Sequence, residues 1–361
     1  MRRRERRTVG VRREARLILL ALVVGLAAAL VAGCGGSKVV SAQQASDQTS
    51  GAKVVLNGSG ATFPEPIYVQ WAGEFNKSRP DVQVNYQGIG SGGGIEQFTN
   101  QITDFGASDA PMSDEELAAA QKAGGPVLHI PMVLGSVAVT YNVSGVKDLK
   151  LDGPTLANIF LGKIKKWNDP QISKLNPGVS LPGDDVKVVH RSDSSGTSYI
   201  FTGYLSAVSP EWKSKVGQDK APEWPTGIGG EGNDGVAAAI QQTKGAIGYN
   251  ELGYALENKI AYATLKSANG EWIKPSSDST SAAGSGAGAY PIVSATWILA
   301  WKNPAQDGFN RQKAKDLIQF LSFGLAGDAQ KQAPDLGYAK LPKDLQSLAL
   351  KAADSIQLPK S

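Results

Sequence analysis

The chain has 361 residues, 41% hydrophobic and 19% charged, a composition typical of globular proteins of about two domains. Its formal net charge of +4 comes from residues 1–16, which contain eight arginines and two glutamates. The rest of the chain carries 29 basic and 31 acidic side chains, so it lacks the basic excess of nucleic-acid-binding proteins. We therefore expect no nucleic-acid partner.

The N-terminal segment has the parts of an export signal. Its arginines are followed by an apolar run over residues 17–32, which is short for a membrane-spanning helix, and no charged stop-transfer segment follows it. The tetrapeptide that ends at Cys34, Val-Ala-Gly-Cys, resembles a bacterial lipobox, in which the cysteine is acylated and becomes the mature N-terminus. The sequence therefore predicts a lipoprotein signal peptide over residues 1–33 and lipidation at Cys34. An uncleaved membrane anchor is the alternative.

Residues 34–52 are mostly small and polar, which predicts a flexible linker. With either interpretation of the N-terminus, the body lies outside the cytoplasm, on the periplasmic side or at the cell surface, and is tethered to the cell membrane. Cys34 is the only cysteine, so the chain cannot form an internal disulfide. We expect neither a metal nor a cofactor.

After the linker, short β-rich runs alternate with helical patterns, which predicts an α/β fold. Residues 53–58 and 81–87 have the composition of strands, and between them Ile67, Trp71 and Phe75 repeat at helical spacing. The later predicted elements are a helix at 155–164, a strand at 186–191, a helix at 197–208, a strand at 290–301 and a helix at 311–325. The low-complexity segment 275–289 is predicted to be a surface loop.

Three clusters of small residues, 58–63, 88–94 and 192–197, each lie directly before a predicted helix. A helix N-terminus has free backbone N–H groups and the positive end of the helix dipole, so each cluster is a potential anion site. The Ser and Thr residues could instead simply cap the helices. Three such clusters together favour a small tetrahedral oxyanion. Two matches to the dinucleotide pattern G-x-G-x-x-G, at 88–93 and 227–232, are too unspecific to predict a cofactor.

Two charged residues complete the candidate site. Arg191 ends a predicted strand directly before the third cluster, where its guanidinium could hold an oxyanion with two hydrogen bonds, and Asp193 could hold that arginine in place. Asp109 follows another strand. A carboxylate there could accept the proton that phosphate carries near neutral pH and sulfate lacks, which would disfavour sulfate. Taken alone, Arg191 and Asp109 could equally be structural or surface charges.

Seven segments of the chain strongly resemble the phosphate-binding proteins of Pst-type ABC importers. In chain order they are GATFPEPIYVQWAGEF, VNYQGIGSGGGIEQF, DFGASDAPMSDEEL, FLGKIKKWNDP, RSDSSGTSYIFTGYL, GGEGNDGVAAAIQQTKGAIGYNE and GYAKLP. The resemblance implies a two-lobed, periplasmic-binding-protein-like α/β fold of class II type with a hinge between the lobes. Lobe 1 would comprise residues 53–140 and 291–361, and lobe 2 residues 141–290.

The resemblance also implies which residues bind phosphate. The expected ligand-binding residues are Ala61, Thr62, Phe63, Ser91, Asp109, Arg191, Ser195, Gly196 and Thr197, with Asp193 supporting the arginine. Asp109 would accept the phosphate proton, Arg191 would supply the positive charge, and the others would donate through backbone N–H groups and hydroxyls. His190 alternates with Arg191 on a strand, so we expect it to face away from the ligand.

The expected function is capture of inorganic phosphate and its delivery to the membrane subunits of an ABC permease, by a monomer without enzymatic activity. One alternative is an exported phosphatase or hydrolase that uses the same pocket. The chain offers only His129 and His190 as imidazole bases, and neither a G-x-S-x-G motif nor a metal-ligand cluster is apparent in the sequence. A binding protein for sulfate, molybdate or arsenate is the other alternative.

Overall fold

The computed structural model describes residues 53–283, 286–306 and 308–360. The predicted signal peptide, Cys34 and the linker lie outside these residues. In the described ranges the strands are β1 (Val54–Gly60), β2 (Val82–Gly88), β3 (Phe105–Ser108), β4 (Val127–Asn142), β5 (Lys150–Leu151), β6 (Lys187–Arg191), β7 (Ile228–Gly230), β8 (Ala246–Glu251), β9 (Ala261–Tyr262), β10 (Thr264–Lys266), β11 (Trp272–Ile273) and β12 (Val293–Trp301).

The helices alternate with these strands. They are α1 (Glu65–Ser78), α2 (Ser91–Thr99), α3 (Asp114–Gly124), α4 (Gly153–Phe160), α5 (Pro170–Leu175), α6 (Gly196–Val208), α7 (Pro210–Lys215), α8 (Gly232–Gln242), α9 (Leu252–Glu257), α10 (Ser277–Ser281), α11 (Arg311–Leu325), α12 (Gly327–Gln332) and α13 (Lys343–Asp354), with a 3₁₀ turn at Ala333–Leu336. The alternation confirms the predicted α/β class.

The main sheet has the strand order β2-β1-β3-β12-β4-β8-β6-β7, and β9 also pairs with β4. β1 is parallel to β2 and β3, whereas β12 is antiparallel to both β3 and β4. β8 is antiparallel to β4, and β6 is parallel to β8 and β7. Strands β11, β10 and β5 form a separate small sheet.

Strand β4 joins two groups of strands. Its first part, through Ser136, pairs with β12, and its last part, from Val137, pairs with β8. The N–H of Val137 donates to the carbonyl of Ile292 at 2.9 Å, so the segment leading into β12 passes the same point. The strands β2, β1, β3 and β12 therefore form one lobe and β8, β6 and β7 the other, as predicted for a two-lobed fold. The lobe boundaries at residues 140 and 291 stay a prediction.

Apolar packing fixes the helices that follow the first and third small-residue clusters. In α1, Ile67 and Trp71 are fully buried and Phe75 is 4% exposed, as their helical spacing predicts. In α6, Phe201 stacks on Tyr249 of β8, with the ring centroids 4.3 Å apart. Each helix start is thus held against its own lobe.

Small residues let the second cluster approach the first. Gly94 of α2 packs so closely on β1 that a Cβ atom there would lie 2.3 Å from the Cα of Gly60. Gly60 itself has a φ of +146°, and a Cβ atom on it would lie 2.1 Å from the carbonyl oxygen of Ala107. The carboxyl ends of β1, β2 and β3 therefore lie close to one helix start, in the region where open α/β sheets bind ligands.

One predicted element is wrong. The segment 275–289 was expected to be a loop, but Ser277–Ser281 form the short helix α10. Ser276 and Ser279 cap this helix through reciprocal hydrogen bonds, and Thr280 is fully buried. The low-complexity composition did not indicate this capping box, because its third helical position is Ser279 and not the usual glutamate or glutamine.

We expect Gly94→Ala to destabilise the fold by about 1–3 kcal/mol, because the added methyl group would overlap backbone atoms of β1 and β3. Gly73→Ala in α1 is the matched control, since a Cβ atom there meets nothing within 4 Å. It should stabilise the protein by about 0.5–1 kcal/mol. Urea unfolding of both variants without added ligand measures the difference, and a Gly94→Ala variant as stable as the parent would contradict the close approach of α2.

Candidate oxyanion-binding site

The first cluster contributes two free backbone donors. The N–H groups of Thr62 and Phe63 have no hydrogen-bond partner among the described residues. The N–H of Ala61, in contrast, donates to the carbonyl of Ala107 at 3.0 Å. The N–H of Ala61 therefore joins β1 to β3 and is not among the free donors of this loop, and its predicted contact with the ligand stays a prediction.

The second and third clusters each contribute a helix start. Ser91 is the first residue of α2, follows Gly90 in a left-handed conformation (φ 83°), and is fully buried. Ser195 is the N-cap of α6, where its hydroxyl oxygen accepts from the N–H of Ser198 at 3.1 Å. Its hydroxyl proton remains available for a ligand. Both helix starts carry free N–H groups and partial positive charge.

Three hydroxyl groups in the site share one hydrogen-bond pattern, in which the oxygen accepts two hydrogen bonds from the protein. The hydroxyl of Thr62 accepts from the N–H of Asn233 at 3.3 Å and from its side-chain amide at 2.9 Å. The hydroxyl of Ser91 accepts from the N–H groups of Asp109 at 3.2 Å and Gly196 at 3.1 Å. The hydroxyl of Thr197 accepts from Nη1 of Arg191 at 3.3 Å and from Nδ2 of Asn233 at 3.1 Å. A hydroxyl group has two acceptor positions and one proton. With both acceptor positions filled, each proton points away from these partners and is left for a further acceptor such as a ligand oxygen.

Arg191 supplies the positive charge of the site. It is 3% exposed, and its Nε donates to Oδ1 of Asp193 at 2.7 Å while Nη2 pairs with Oδ2. Asp193 thus forms a bidentate ion pair with this arginine. Burial by itself raises the pKa of the Asp193 carboxyl, but the hydrogen bonds and charge of Arg191 outweigh burial, so this pKa lies below its ordinary value.

Asp109 is a buried carboxyl group with one unused oxygen. It follows β3 and is 1% exposed. Its Oδ1 accepts from the hydroxyl of Thr296 at 2.7 Å, whereas its Oδ2 has no partner among the described residues. Burial raises the pKa of this carboxyl to about 7, although Thr296, the charge of Arg191 and the Ser91 contact act in the opposite direction. When Asp109 is ionised, its free Oδ2 can accept a proton from a ligand that carries one.

The two lobes contact each other at the site. The N–H of Gly92 donates to the carbonyl of Ser194 at 2.9 Å, between the second and third clusters. At the edge of the cleft, Lys220 donates to both carboxylate oxygens of Glu116 at the start of α3. The two lobes are therefore in direct contact at the site in this structure.

The histidines do not take part in the site. The ring of His190 stacks on Trp224, with the centroids 4.8 Å apart, and its Nδ1 lies 3.0 Å from the carbonyl oxygen of Arg191, not beside the guanidinium. Nε2 of His129 lies 3.4 Å from the N–H of Met112. Burial lowers the pKa of both imidazoles. Among the described residues, no group of three or more acidic, His or Cys side chains is placed to hold a metal ion.

Sequence reasoning missed two residues that organise the site. The side-chain amide of Asn233 bridges the hydroxyls of Thr62 and Thr197, and Thr296 holds the carboxyl of Asp109. Asn233 lies in a recognisable Gly-rich segment, but nothing local indicates its partner 171 residues away. Thr296 lies in the middle of a strand pattern and gives no signal of its own.

The fold and the site define a two-lobed substrate-binding protein with an oxyanion pocket between its lobes. Residues 42–323 match the family model of the PBP superfamily domain. The chain is 42% identical over 319 residues to the phosphate-binding protein PstS of Xylella fastidiosa, covering 83% of this chain and 84% of that protein. It is 36% identical over 377 residues to PstS of Methanocaldococcus jannaschii, covering 94% and 96%. The chain belongs to the PstS family of the PBP superfamily, which confirms the resemblance seen in its motifs.

Solved structures of more distant proteins share the fold. A periplasmic phosphate-binding protein, PfluDING, solved with bound phosphate, matches with a TM-score of 0.64 at 21% identity, over 82% of this chain and 92% of that one. A putative phosphate transporter substrate-binding protein from Clostridium perfringens, also solved with phosphate, matches with a TM-score of 0.59 at 18% identity, over 80% and 100%.

The pKa of Asp109 predicts a pH dependence of stability. Between about pH 4 and pH 7 the folded protein holds a proton that the unfolded chain has released, so the stability contributed by this group falls as the pH rises through about 7. Asp109→Asn removes this titration. In the ligand-free protein, the free energy of unfolding of the variant minus that of the parent should therefore be larger at pH 8 than at pH 5.

Urea unfolding at both pH values measures this difference, in which all other titrating groups cancel because both proteins contain them. A difference that does not change with pH would show that Asp109 has an ordinary pKa.

Proposed function

We propose that this protein captures inorganic phosphate outside the cytoplasm and delivers it to the membrane subunits of an ABC importer. The observation that carries the proposal is the unused oxygen of Asp109, buried beside a set of hydrogen-bond donors. The relatives named PstS and the phosphate-bound structural neighbours support the same ligand. A site with many donors and one acceptor matches a protonated oxyanion.

The proposed ligand contacts come from both lobes. Phosphate oxygens would accept hydrogen bonds from the N–H groups and hydroxyls of Thr62, Phe63, Ser91, Ser195, Gly196 and Thr197, and from the guanidinium of Arg191. The N–H of Gly196 donates to the hydroxyl oxygen of Ser91 at 3.1 Å, so phosphate would compete for that proton. Ala61 is left out of the donor set.

Asp109 would distinguish phosphate from sulfate. Phosphate keeps at least one proton near neutral pH and can donate it to Oδ2, whereas sulfate has no proton to donate. A sulfate oxygen facing Oδ2 would leave a buried acceptor unpaired and place two negative groups together, which costs about 2–4 kcal/mol.

Closure of the two lobes would complete the site. We propose lobe 1 as residues 53–140 and 291–361, and lobe 2 as residues 141–290, with hinge segments where β4 changes its pairing partner and where the chain enters β12. Each lobe alone offers only part of the donor set. Phosphate therefore binds the closed form more tightly than the open form, and this difference shifts the population toward closure.

A transport role without catalysis is part of the proposal. A hydrolase that used this site would need a base to activate a nucleophile, and in the described part of the chain the contacts of the two imidazoles are with the N–H of Met112 for His129 and with Trp224 and the carbonyl of Arg191 for His190, not with the site hydroxyls. Turnover of a chromogenic phosphate ester by the purified protein would count against this assignment.

We also propose that the protein is a lipid-anchored monomer. The support is the lipobox-like sequence ending at Cys34 and the small polar residues that follow it. Within the described ranges, none of the helices has the length and apolar character to cross a bilayer. Mass spectrometry of membrane-extracted protein would detect diacylglycerol on Cys34, and a mature chain that still carries residues 1–33 would contradict the anchor.

Calorimetric titration with phosphate and with sulfate tests the ligand assignment. The parent should bind phosphate at least about 30-fold more tightly than sulfate, in line with the cost of an unpaired buried acceptor. Asp109→Asn should narrow this ratio, because the amide can donate to either anion. Equal affinity of the parent for both anions would contradict the role of Asp109.

Arg191→Ala should weaken phosphate binding by about 100-fold or more, because it removes the buried cation and leaves Asp193 unpaired. His190→Ala is the control on the same strand, and its affinity should stay within about threefold of the parent. The same calorimetric titration reads both variants, and an Arg191→Ala variant with nearly normal affinity would exclude this site.

The Glu116–Lys220 ion pair generates a prediction about closure. It joins the proposed lobes, and its side chains are 29% and 14% exposed, so screening by water is incomplete. Glu116→Gln keeps the capping hydrogen bond of α3 but removes the charge. This variant and Lys220→Gln should each weaken phosphate binding about five-fold and reduce its sensitivity to salt.

The matched control is Lys313→Gln, which breaks a similarly buried ion pair with Asp104 inside lobe 1. This change should leave the phosphate affinity within about twofold of the parent. If all three variants lose affinity equally, the effect reflects general destabilisation and not closure.

A further inference from the structure

The loop between β1 and α1 has three consecutive carbonyl groups that each accept a hydrogen bond from a tyrosine hydroxyl. The pairs are Tyr86 with Ala61 at 2.6 Å, Tyr254 with Thr62 at 2.7 Å, and Tyr338 with Phe63 at 2.6 Å. The three tyrosines come from β2, from α9 and from the segment after the 3₁₀ turn. Three separate parts of the fold thus converge on one short loop.

The planarity of the peptide bond gives two of these contacts a specific consequence. A carbonyl and the N–H of the next residue belong to one rigid plane and point in opposite directions in a trans peptide, and the described residues contain no cis peptide bond. By holding the carbonyl of Ala61, Tyr86 fixes the direction of the N–H of Thr62. The carbonyl of Thr62 accepts from Tyr254 and also, at 3.3 Å, from the N–H of Glu65, so Tyr254 helps to fix the N–H of Phe63.

The third contact has no such consequence. The carbonyl of Phe63 is followed by Pro64, which has no N–H group. Tyr338 therefore stabilises the same loop without directing a donor. Tyr338 is therefore a natural control, because its hydroxyl makes the same kind of hydrogen bond to the next carbonyl along the chain.

The two directed N–H groups are the ones left free by the rest of the protein. Those of Thr62 and Phe63 lack partners among the described residues, whereas the N–H of Ala61 is bonded to Ala107. A hydrogen bond at the carbonyl also polarises the peptide and strengthens its N–H as a donor. The energetic benefit of such donors depends on their being fixed before the anion arrives.

The tyrosines stay donors over the working pH range. Burial raises the pKa of Tyr86, Tyr254 and Tyr338 well above the ordinary value, so each hydroxyl keeps its proton. Tyr254 also lies within 3.4 Å of a carboxylate oxygen of Glu65, which further disfavours its ionisation. Since Tyr254 belongs to the proposed lobe 2 and Thr62 to lobe 1, its contact crosses the lobe boundary.

We propose that Tyr86 and Tyr254 are positioning residues of the oxyanion site, each of which aims one backbone donor at the anion, and that Tyr338 is not. The inference deepens the proposed function and rests on phosphate being the ligand. Tyr254 forms its hydrogen bond from the second lobe, so its contribution to fixing the N–H of Phe63, beyond that of the Glu65 N–H, requires a closed cleft. Closure then completes a donor of the first lobe in addition to bringing in those of the second.

Single tyrosine-to-phenylalanine variants test this inference, because each removes one hydroxyl and keeps the ring. Calorimetry should show phosphate affinity reduced about 5- to 30-fold in Tyr86→Phe and in Tyr254→Phe, because the N–H that each hydroxyl directs would be a less well fixed donor to the charged ligand. Tyr338→Phe should stay within about threefold of the parent. Thermal unfolding without ligand reports the structural cost of each change separately.

The chemical shifts of individual amide protons on phosphate binding distinguish a positioning role from a merely structural one. A tyrosine that only stabilised the fold would not change the shift of one particular amide proton. In the parent, phosphate should shift the amide protons of Thr62 and Phe63 downfield and leave that of Ala61 nearly unchanged. Tyr86→Phe should reduce the phosphate-induced shift of the Thr62 amide proton and leave that of Phe63 unchanged. Tyr254→Phe should reduce the shift of the Phe63 amide proton and leave that of Thr62 unchanged. Tyr338→Phe should reduce neither.

The outcomes separate the inference from the proposed function. A parent protein that does not bind phosphate would overturn the function itself. A parent that binds, with Tyr86→Phe and Tyr254→Phe unchanged or with Tyr338→Phe weakened equally, would overturn the inference alone. If a phenylalanine variant does not fold, 4-aminophenylalanine at the same position retains a donor and should bind within a few-fold of the parent. An affinity reduced 30-fold or more there would also overturn the inference.

Discussion

Asp109 carries a buried carboxyl group whose Oδ1 is bonded to Thr296 and whose Oδ2 has no partner in the part of the chain that the structure describes. A buried acceptor without a partner costs about 1–3 kcal/mol. The fold tolerates this cost at the point where donors from several elements converge. The remainder of the site follows from that constraint, because a ligand that satisfies Oδ2 of the ionised carboxylate must bring a proton and must also accept many hydrogen bonds.

The surrounding groups are arranged so that they can only donate. The hydroxyls of Thr62, Ser91 and Thr197 have their acceptor positions filled by the protein, and the free N–H groups lie at two helix starts and on one braced loop. Several of these groups depend on partners from the opposite lobe. The donor set therefore depends on contact between the lobes, and neither lobe holds it alone.

Much of this could be predicted from local sequence. Helical spacing indicated the buried face of α1, and the order of Arg191 and Asp193 indicated their ion pair. The partners of Asp109 and Thr62 could not be predicted, since Thr296 and Asn233 lie 187 and 171 residues away and act only after the chain has folded. Ala61 was assigned as a donor because a motif does not show that its amide bonds to Ala107.

The most direct test of the central claim is an atomic-resolution crystal structure of the protein with bound phosphate. The account predicts a phosphate oxygen about 2.5–2.7 Å from Oδ2 of Asp109, as expected for a hydrogen bond between a protonated oxygen and a carboxylate. The N–H groups of Thr62 and Phe63 should contact the same anion. A complex in which Oδ2 is bonded to water or to the protein, with no phosphate oxygen in reach, would contradict the account.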